Sequence, residues 1–263
     1  MARVIAVFNQ KGGVGKTTTA VNLGAYLTTF SKKTLIVDFD PQANASSALG
    51  LKPLELNKSI YHGFLNLTDE NLINASEIKN LDFIPSAPHL AGALVELVNL
   101  DNREFYLRKF LHKFRHLYDY ILIDLPPALS LLTINGLVAA DEVIVPVQTE
   151  YYSLEGLTQA LEVLDLVKKN LRHNIVITGI FMTMFGYNPL SKEIEKNLKD
   201  NLGDKVLKTK IPRDLALAEA PSFSKTILSY KPSSKGAKQY RKLAEEIIES
   251  EIKLDKNFGN FII

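Results

Sequence analysis

The 263-residue sequence contains no cysteine. Disulfides, thiolate catalysis, cysteine-ligated zinc and iron–sulfur clusters are therefore excluded together. Histidine is scarce, with five residues. His112 and His116 stand four apart, but Lys113-Phe114-Arg115 between them supplies no carboxylate. That is not the zinc-protease pattern, and a solvated helix face is expected. No apolar run approaches the roughly 20 residues that a membrane-spanning helix needs. Met1 to Phe8 reads as a strand and lacks the length and cleavage site of a signal peptide. A cytoplasmic protein is the expectation. A strong excess of one charge is missing too: the formal net charge is +2, too little to imply a nucleic-acid partner.

The charge is unevenly spread. Between Lys192 and Lys242 there are 13 basic and six acidic residues, a local balance of +7 that leaves −5 for the rest of the chain. Most surface lysines are merely solvated, but an asymmetry of this size keeps a polyanion partner in view.

Short β-branched runs alternate with longer periodic segments. Strands are expected at 3–8, 34–39, 82–84, 119–124, 142–147, 175–181 and 206–211, and helices near 16–29, 102–117, 153–170, 190–201 and 234–253. Ser153 is a candidate N-cap and Pro189 a candidate first-turn residue. Several strands, such as Tyr120-Ile121-Leu122-Ile123, are apolar on both faces, as parallel strands covered above and below must be. The expected fold is α/β: a doubly wound, mostly parallel twisted sheet with helices on both faces. No repeat or linker divides the chain, so a single domain over 1–263 is expected.

The first strand runs into Lys11-Gly12-Gly13-Val14-Gly15-Lys16-Thr17-Thr18, and a helix follows. Glycines let backbone N–H groups converge on phosphate oxygens, and the helix N-terminus adds unpaired donors. Lys16 would neutralise the β- and γ-phosphates of ATP, and the Thr17 hydroxyl would ligate Mg²⁺. The ordinary P-loop has a glycine where this chain has Gln10, so the strict pattern fails. Asp124, Asp38 and Asp40 end apolar strands, where buried carboxylates are costly without a partner. At the carboxyl ends of the strands they stand where ligands bind in such folds.

Lys11, directly before the glycines, has no role in an ordinary P-loop. Lys-Gly-Gly-x-Gly-Lys-Thr-Thr resembles the deviant Walker A box of the ParA/MinD ATPases, whose signature lysine reaches across a dimer to the partner's ATP. Val37-Asp38-Phe39-Asp40-Pro41-Gln42-Ala43-Asn44 is similar to that family's second acidic box, and Ile121 to Pro127 to its Walker B strand. Pro146 to Leu157 and Ile211-Pro212-Arg213-Asp214, with Glu219-Ala220-Pro221-Ser222, resemble later blocks of its chromosomal ParA (Soj) branch. The blocks cover residues 2 to about 250 in the family's order and leave 251–263 as a C-terminal tail.

The resemblance implies an ATP- and Mg²⁺-dependent switch. Gly12, Gly13, Val14, Gly15, Lys16, Thr17 and Thr18 would hold phosphates, Thr17 and Asp124 the metal, and Pro212 and Asp214 the adenine. Lys11 would act across a homodimer, Asp40 would orient the attacking water, and Asp38 would support the switch around it. Phosphoryl transfer gains mostly from positioning and charge neutralisation, and an aspartate is a weak base at pH 7, so slow hydrolysis is expected. An asparagine is usual in the family where this chain has Asp214. Here helix capping is as good an account as adenine recognition.

The branch further implies nonspecific DNA binding, a nucleoid address and a ParB-like partner protein. Two arginine positions of the family are missing, one in Met184-Phe185-Gly186-Tyr187-Asn188-Pro189 and one at Ala216. Lysines such as Lys192, Lys208, Lys225 and Lys235 would have to take over. A membrane switch like MinD is disfavoured, because Asp255 to Ile263 has few cations and a central glycine. ParA-like positioning of another cellular cargo is the remaining alternative. Metal-cluster carriers that share the loop are excluded by the lack of cysteine.

Overall fold

The computed structural model describes residues 1–68, 70–150 and 153–258, with side chains described through residue 250 except that of Ser153. Tyr151, Tyr152, the capping role expected of Ser153 and the side chains of the tail 251–263 lie outside this description.

Among the described residues, eight strands form one sheet: β1 (Arg3–Val7), β2 (Thr34–Asp38), β3 (Asn74–Ala75), β4 (Leu81–Ile84), β5 (Tyr120–Asp124), β6 (Glu142–Gln148), β7 (Val176–Phe185) and β8 (Val206–Pro212). Their order is β3-β4-β2-β5-β1-β6-β7-β8. Every pairing is parallel except that of the two-residue β3 with β4. The expected doubly wound sheet is therefore present.

Alternation along β1 divides the core. Val4, Ala6 and Phe8 join a cluster on one face, and Ile5 and Val7 join a cluster on the other. Helices cover both, as apolar strands without a polar face require. They are α1 (Lys16–Thr28), α2 (Asn44–Ala48), α3 (Ile60–Phe64), α4 (Ala93–Glu96), α5 (Tyr106–His112), α6 (Leu131–Ala139), α7 (Ser153–Leu171), α8 (Pro189–Leu202), α9 (Leu215–Glu219), α10 (Ile227–Tyr230) and α11 (Lys235–Phe258). Helices α1 and α11 pack together on the face of Ile5 and Val7, through Ala20, Leu23 and Leu27 against Tyr240, Leu243 and Ile247. Helices α5 to α8 cover the opposite face. Pro189 opens α8 as expected, and Asn188 caps it by accepting the Ser191 N–H at 2.8 Å.

The helix expected over 102–117 is shorter. A 3₁₀ turn at Arg103–Phe105 precedes α5, which ends at His112. The Arg115 carbonyl is instead taken by the Ala2 N–H at 2.8 Å, so the chain is bound to the start of β1 and cannot continue the helix. His112 and His116 are exposed, and the described residues contain no cluster able to hold a metal through His, Cys, Asp and Glu alone.

Two devices bind the ends of the fold. Arg3 forms a buried ion pair with Glu142 of β6 at 2.5 Å and donates to the Ile247 carbonyl of α11 at 2.8 Å. Where β8 is irregular, between Val206 and Lys210, the Lys208 and Thr209 N–H groups donate to the two carboxylate oxygens of Glu246 at 2.7 and 3.0 Å.

Candidate nucleotide site

The loop after β1 opens directly into α1. Gly15 occupies the N-cap position with φ +90°, and Gly13 has φ +74°, a region that side-chain-bearing residues enter at a cost. No side chain caps α1 and no acidic residue lies in its first turn, so its terminal N–H groups are available to an anion. Two anchors outside the loop hold its shape. The buried Asn9 side chain donates to the Pro146 carbonyl of β6, and the buried Thr183 hydroxyl of β7 donates to the Val14 carbonyl at 2.8 Å.

Lys16 is buried, and its ammonium donates to the Lys11 carbonyl at 3.0 Å. Burial lowers its pKa, and the charges of Asp124 and Asp40 oppose that shift. Asp38 and Asp124 sit opposite each other in the register of β2 and β5, strands about 4.8 Å apart. Burial pushes the Asp38 carboxyl up to about 6, against the opposing effect of donors from Ser46 and the Asp40 backbone. The Ser46 N–H and hydroxyl reach Asp38 at 2.8 and 2.7 Å, tying it to α2. Asp40 accepts the Gln42 N–H at 2.9 Å, and Ala43 is held left-handed at φ +51° in the same turn.

Asp124 differs. It is fully buried, and neither carboxylate oxygen meets a donor at hydrogen-bonding geometry among the described residues. Burial raises its pKa, and Asp38 and Asp40 add to this; the nearby Thr17 hydroxyl and Lys16 work the other way. A buried, donor-less carboxylate beside a hydroxyl is the donor set of a hard divalent cation with oxygen ligands.

Beside the loop lies a cleft of about 550 Å³, lined by Gly15, Thr18, Met184, Pro212, Asp214 and Tyr240 among others. Its size lies within the roughly 300–1,000 Å³ of small-molecule sites. It joins the loop to the segment after β8, as a nucleotide with phosphates at one end and a base at the other requires.

A profile of the AAA domain family matches residues 2–177. The Soj sporulation initiation inhibitor of Bacillus subtilis is 47% identical over 249 residues, which make up 94% of this chain and 98% of that protein. This chain belongs to the ParA/MinD family, in its Soj/ParA branch. The chromosome partitioning protein ParA of Myxococcus xanthus is 44% identical over 95% of this chain and 89% of its own length. Among solved structures, a cobyrinic acid a,c-diamide synthase of Mycobacterium smegmatis with bound ADP and magnesium aligns at TM-score 0.81 and 33% identity, covering 93% of both chains.

Within this ParA/MinD site the structure brings together Lys11, the loop 12–18, Asp38, Asp40 and Asp124. Pro212 and Asp214 line the cleft beside it. Both oxygens of Asp214 are engaged: Oδ1 accepts the Ala216 N–H at 3.0 Å and caps α9, and Oδ2 accepts the Gly236 N–H at 2.7 Å at the start of α11. Helix capping is therefore what Asp214 does in this structure. Asn9, Thr183 and Ser46 escaped the sequence reading. Each is a lone polar residue beside an apolar or small-residue run, and only its tertiary partner distinguishes it.

Of the basic residues between Lys192 and Lys242, Lys199 and Lys210 are both paired with Glu195, at 2.7 and 2.5 Å. Lys192, Lys208, Lys225 and Lys235 are exposed and join none of the ion pairs found among the described residues. Lys225 also borders a smaller cleft with Thr17 and Thr18.

Proposed function

We propose that this single-domain chain is an ATP- and Mg²⁺-dependent dimerising switch with slow hydrolysis, acting in chromosome or plasmid partition. In this reading it binds nonspecific DNA in its ATP state and is reset by a ParB-like partner protein. The observation that carries the nucleotide part is Asp124: a buried carboxylate with no donor, beside Thr17 and Lys16, at the foot of an uncapped helix N-terminus. Relatives named as chromosome-partitioning proteins over nearly the whole chain support the partition part.

The N–H groups of residues 12–18 receive the phosphates, and Lys16 leaves the Lys11 carbonyl to neutralise them. Thr17 and Asp124 hold Mg²⁺, which supplies charge neutralisation at the phosphate oxygens when bound. Asp40, fixed by the Gln42 N–H, orients the water, and Asp38 holds α2 through Ser46 and the Asp40 turn by accepting the Asp40 N–H. Lys11 completes the site of a second copy. Hydrolysis waits on that second copy, so the bound state lasts long enough to act as a timer. The adenine lies in the cleft against Pro212. Exposed lysines, not the missing arginines, provide the salt-sensitive affinity for phosphates.

The test pairs wild type with Asp40→Ala. Wild type should release phosphate from Mg·ATP, and Asp40→Ala should bind ATP without turnover. With ATP, the variant should shift duplex DNA in a gel and fail to sediment with liposomes. Charge reversal to Glu at Lys192, Lys208, Lys225 and Lys235 together should abolish the shift. Liposome binding without DNA binding would overturn the partition reading, and DNA retention by the charge-reversed protein would overturn the lysine assignment.

A further inference from the structure

We infer that Asn9 and Gly156 are positioning residues that aim Lys11 out of the loop and toward a second copy, an inference that rests on the reading of Lys11 given above. Lys11 is held at three points. Its N–H donates to Asn9 Oδ1 at 2.9 Å, and its carbonyl accepts from Lys16 at 3.0 Å. Its Cβ lies against the first turn of α7, where a Cβ on Gly156 would stand 3.2 Å from it and 3.3 Å from Asn9 Oδ1. The backbone and the root of the side chain are thus fixed, and only the outer methylenes and ammonium are free to reach outward.

The chemistry specifies Asn at position 9. Its Nδ2 donates to the Pro146 carbonyl at 2.8 Å while its Oδ1 accepts from Lys11, and Asn9 is 1% exposed. A short side chain that donates and accepts at once from a planar group is an amide. Aspartate would set an acceptor against the Pro146 carbonyl, and alanine would leave both partners unpaired. At 156, alanine would force the Lys11 Cβ or the Asn9 amide to give by a few tenths of an ångström, and valine by more. Neither residue lines the cleft that holds the base, so nucleotide capture by one copy is separable from what Lys11 does for another.

The experiment compares Asn9→Ala, Gly156→Ala, Gly156→Val and Lys11→Ala in the full chain. The readouts are affinity for a fluorescent ATP analogue, ATP-dependent mass by light scattering, and phosphate release. The Gly156 variants should keep the wild-type affinity while dimerisation weakens and turnover falls by about tenfold or more, and Asn9→Ala, which also loosens the loop, should lose far more in turnover than in affinity. Gly156→Val should exceed Gly156→Ala. In the Lys11→Ala background the same changes should cause no further loss of turnover, because they act through Lys11. Asn9→Ala losing affinity in step with turnover would show a general loop scaffold and overturn the inference. So would unchanged turnover in the positioning variants when Lys11→Ala is inactive. If Lys11→Ala itself dimerises and turns over normally, the reading of Lys11 fails, and the inference fails with it.

Discussion

Replacing Asp124 by Asn separates the cost of the metal site from its use. In the metal-free protein Asp124 is fully buried, meets no donor at hydrogen-bonding geometry among the described residues although the Thr17 hydroxyl is near, and stands opposite Asp38. An unsatisfied buried polar group costs about 1–3 kcal/mol, and more when it is charged. The Asn amide removes the charge and can donate to the neighbouring carboxylates, so the metal-free variant should gain about 1–3 kcal/mol. For a chain of this size each kcal/mol moves the midpoint by about 2–4 °C, so the gain appears as several degrees in a thermal melt. Wild type at Mg·ATP about 100 times its Kd should gain about a further 2.7 kcal/mol by mass action. The variant's gain should depend on Mg²⁺ much less than wild type's, because the carboxylate of the proposed ligand pair is gone and only the Thr17 hydroxyl remains. A lower midpoint in the metal-free variant, or a ligand-induced shift as dependent on Mg²⁺ as wild type's, would refute the reasoning.

Asp38 supplies a pH test. Its folded pKa is raised from 3.8 to about 6, so between those values the native state binds more protons than the unfolded chain. Stability of the metal-free protein should therefore fall as pH rises from about 4 to about 6, and Asp38→Asn should flatten that slope in denaturant titrations. Glu142→Ala removes the carboxylate partner of the half-buried Arg3 guanidinium, which keeps its bond to the Ile247 carbonyl, and should cost about 1.5–3 kcal/mol in chemical unfolding. Gly136→Ala puts a Cβ 2.2 Å from Leu125 Cδ2, next to Asp124 in sequence. Repacking should cost about 1–3 kcal/mol and weaken nucleotide affinity measured by titration.

The long, strongly patterned elements were legible in the sequence. β1, β2, β5, β6 and β8 fall within a residue of the expected spans, since an apolar run flanked by polar turns has one solution in a parallel sheet. β7 was expected to end at 181 and runs to Phe185, because Met182 belongs to the core and Thr183 anchors the loop. The short helices α2, α3, α4, α6 and α10 were not anticipated, and α9 only through the capping account of Asp214. α6 is buried on nearly all sides, so Leu131–Ala139 shows no amphipathic period to read. α2 is five residues long and is tied down by Ser46 to Asp38, a bond that exists only in three dimensions. The loop 11–18 and the aspartates 38, 40 and 124 could be singled out because each sits in a short motif of its own at the end of a strand, and the structure brings those motifs together. The supports of that loop come from β6, β7 and α7, and no spacing announces them.

A chain that pairs on demand, as proposed for this one, must have no other place to associate. A sheet's two borders offer rows of N–H and C=O groups that recruit any extended chain, including another copy of the same one. One border here ends in the two-residue antiparallel β3, too short to template a neighbour. At the other, β8 is irregular between Val206 and Lys210, and Glu246 occupies two backbone donors of that stretch with one carboxylate, so a foreign strand would meet neither a regular ladder nor those donors. Removing that carboxylate, as in Glu246→Ala, would reopen the border. The expected phenotype is nucleotide-independent, concentration-driven clumping, and the ATP-dependent pairing at Lys11 would remain beneath it. If the proposed pairing holds, this glutamate is what reserves self-recognition for the nucleotide.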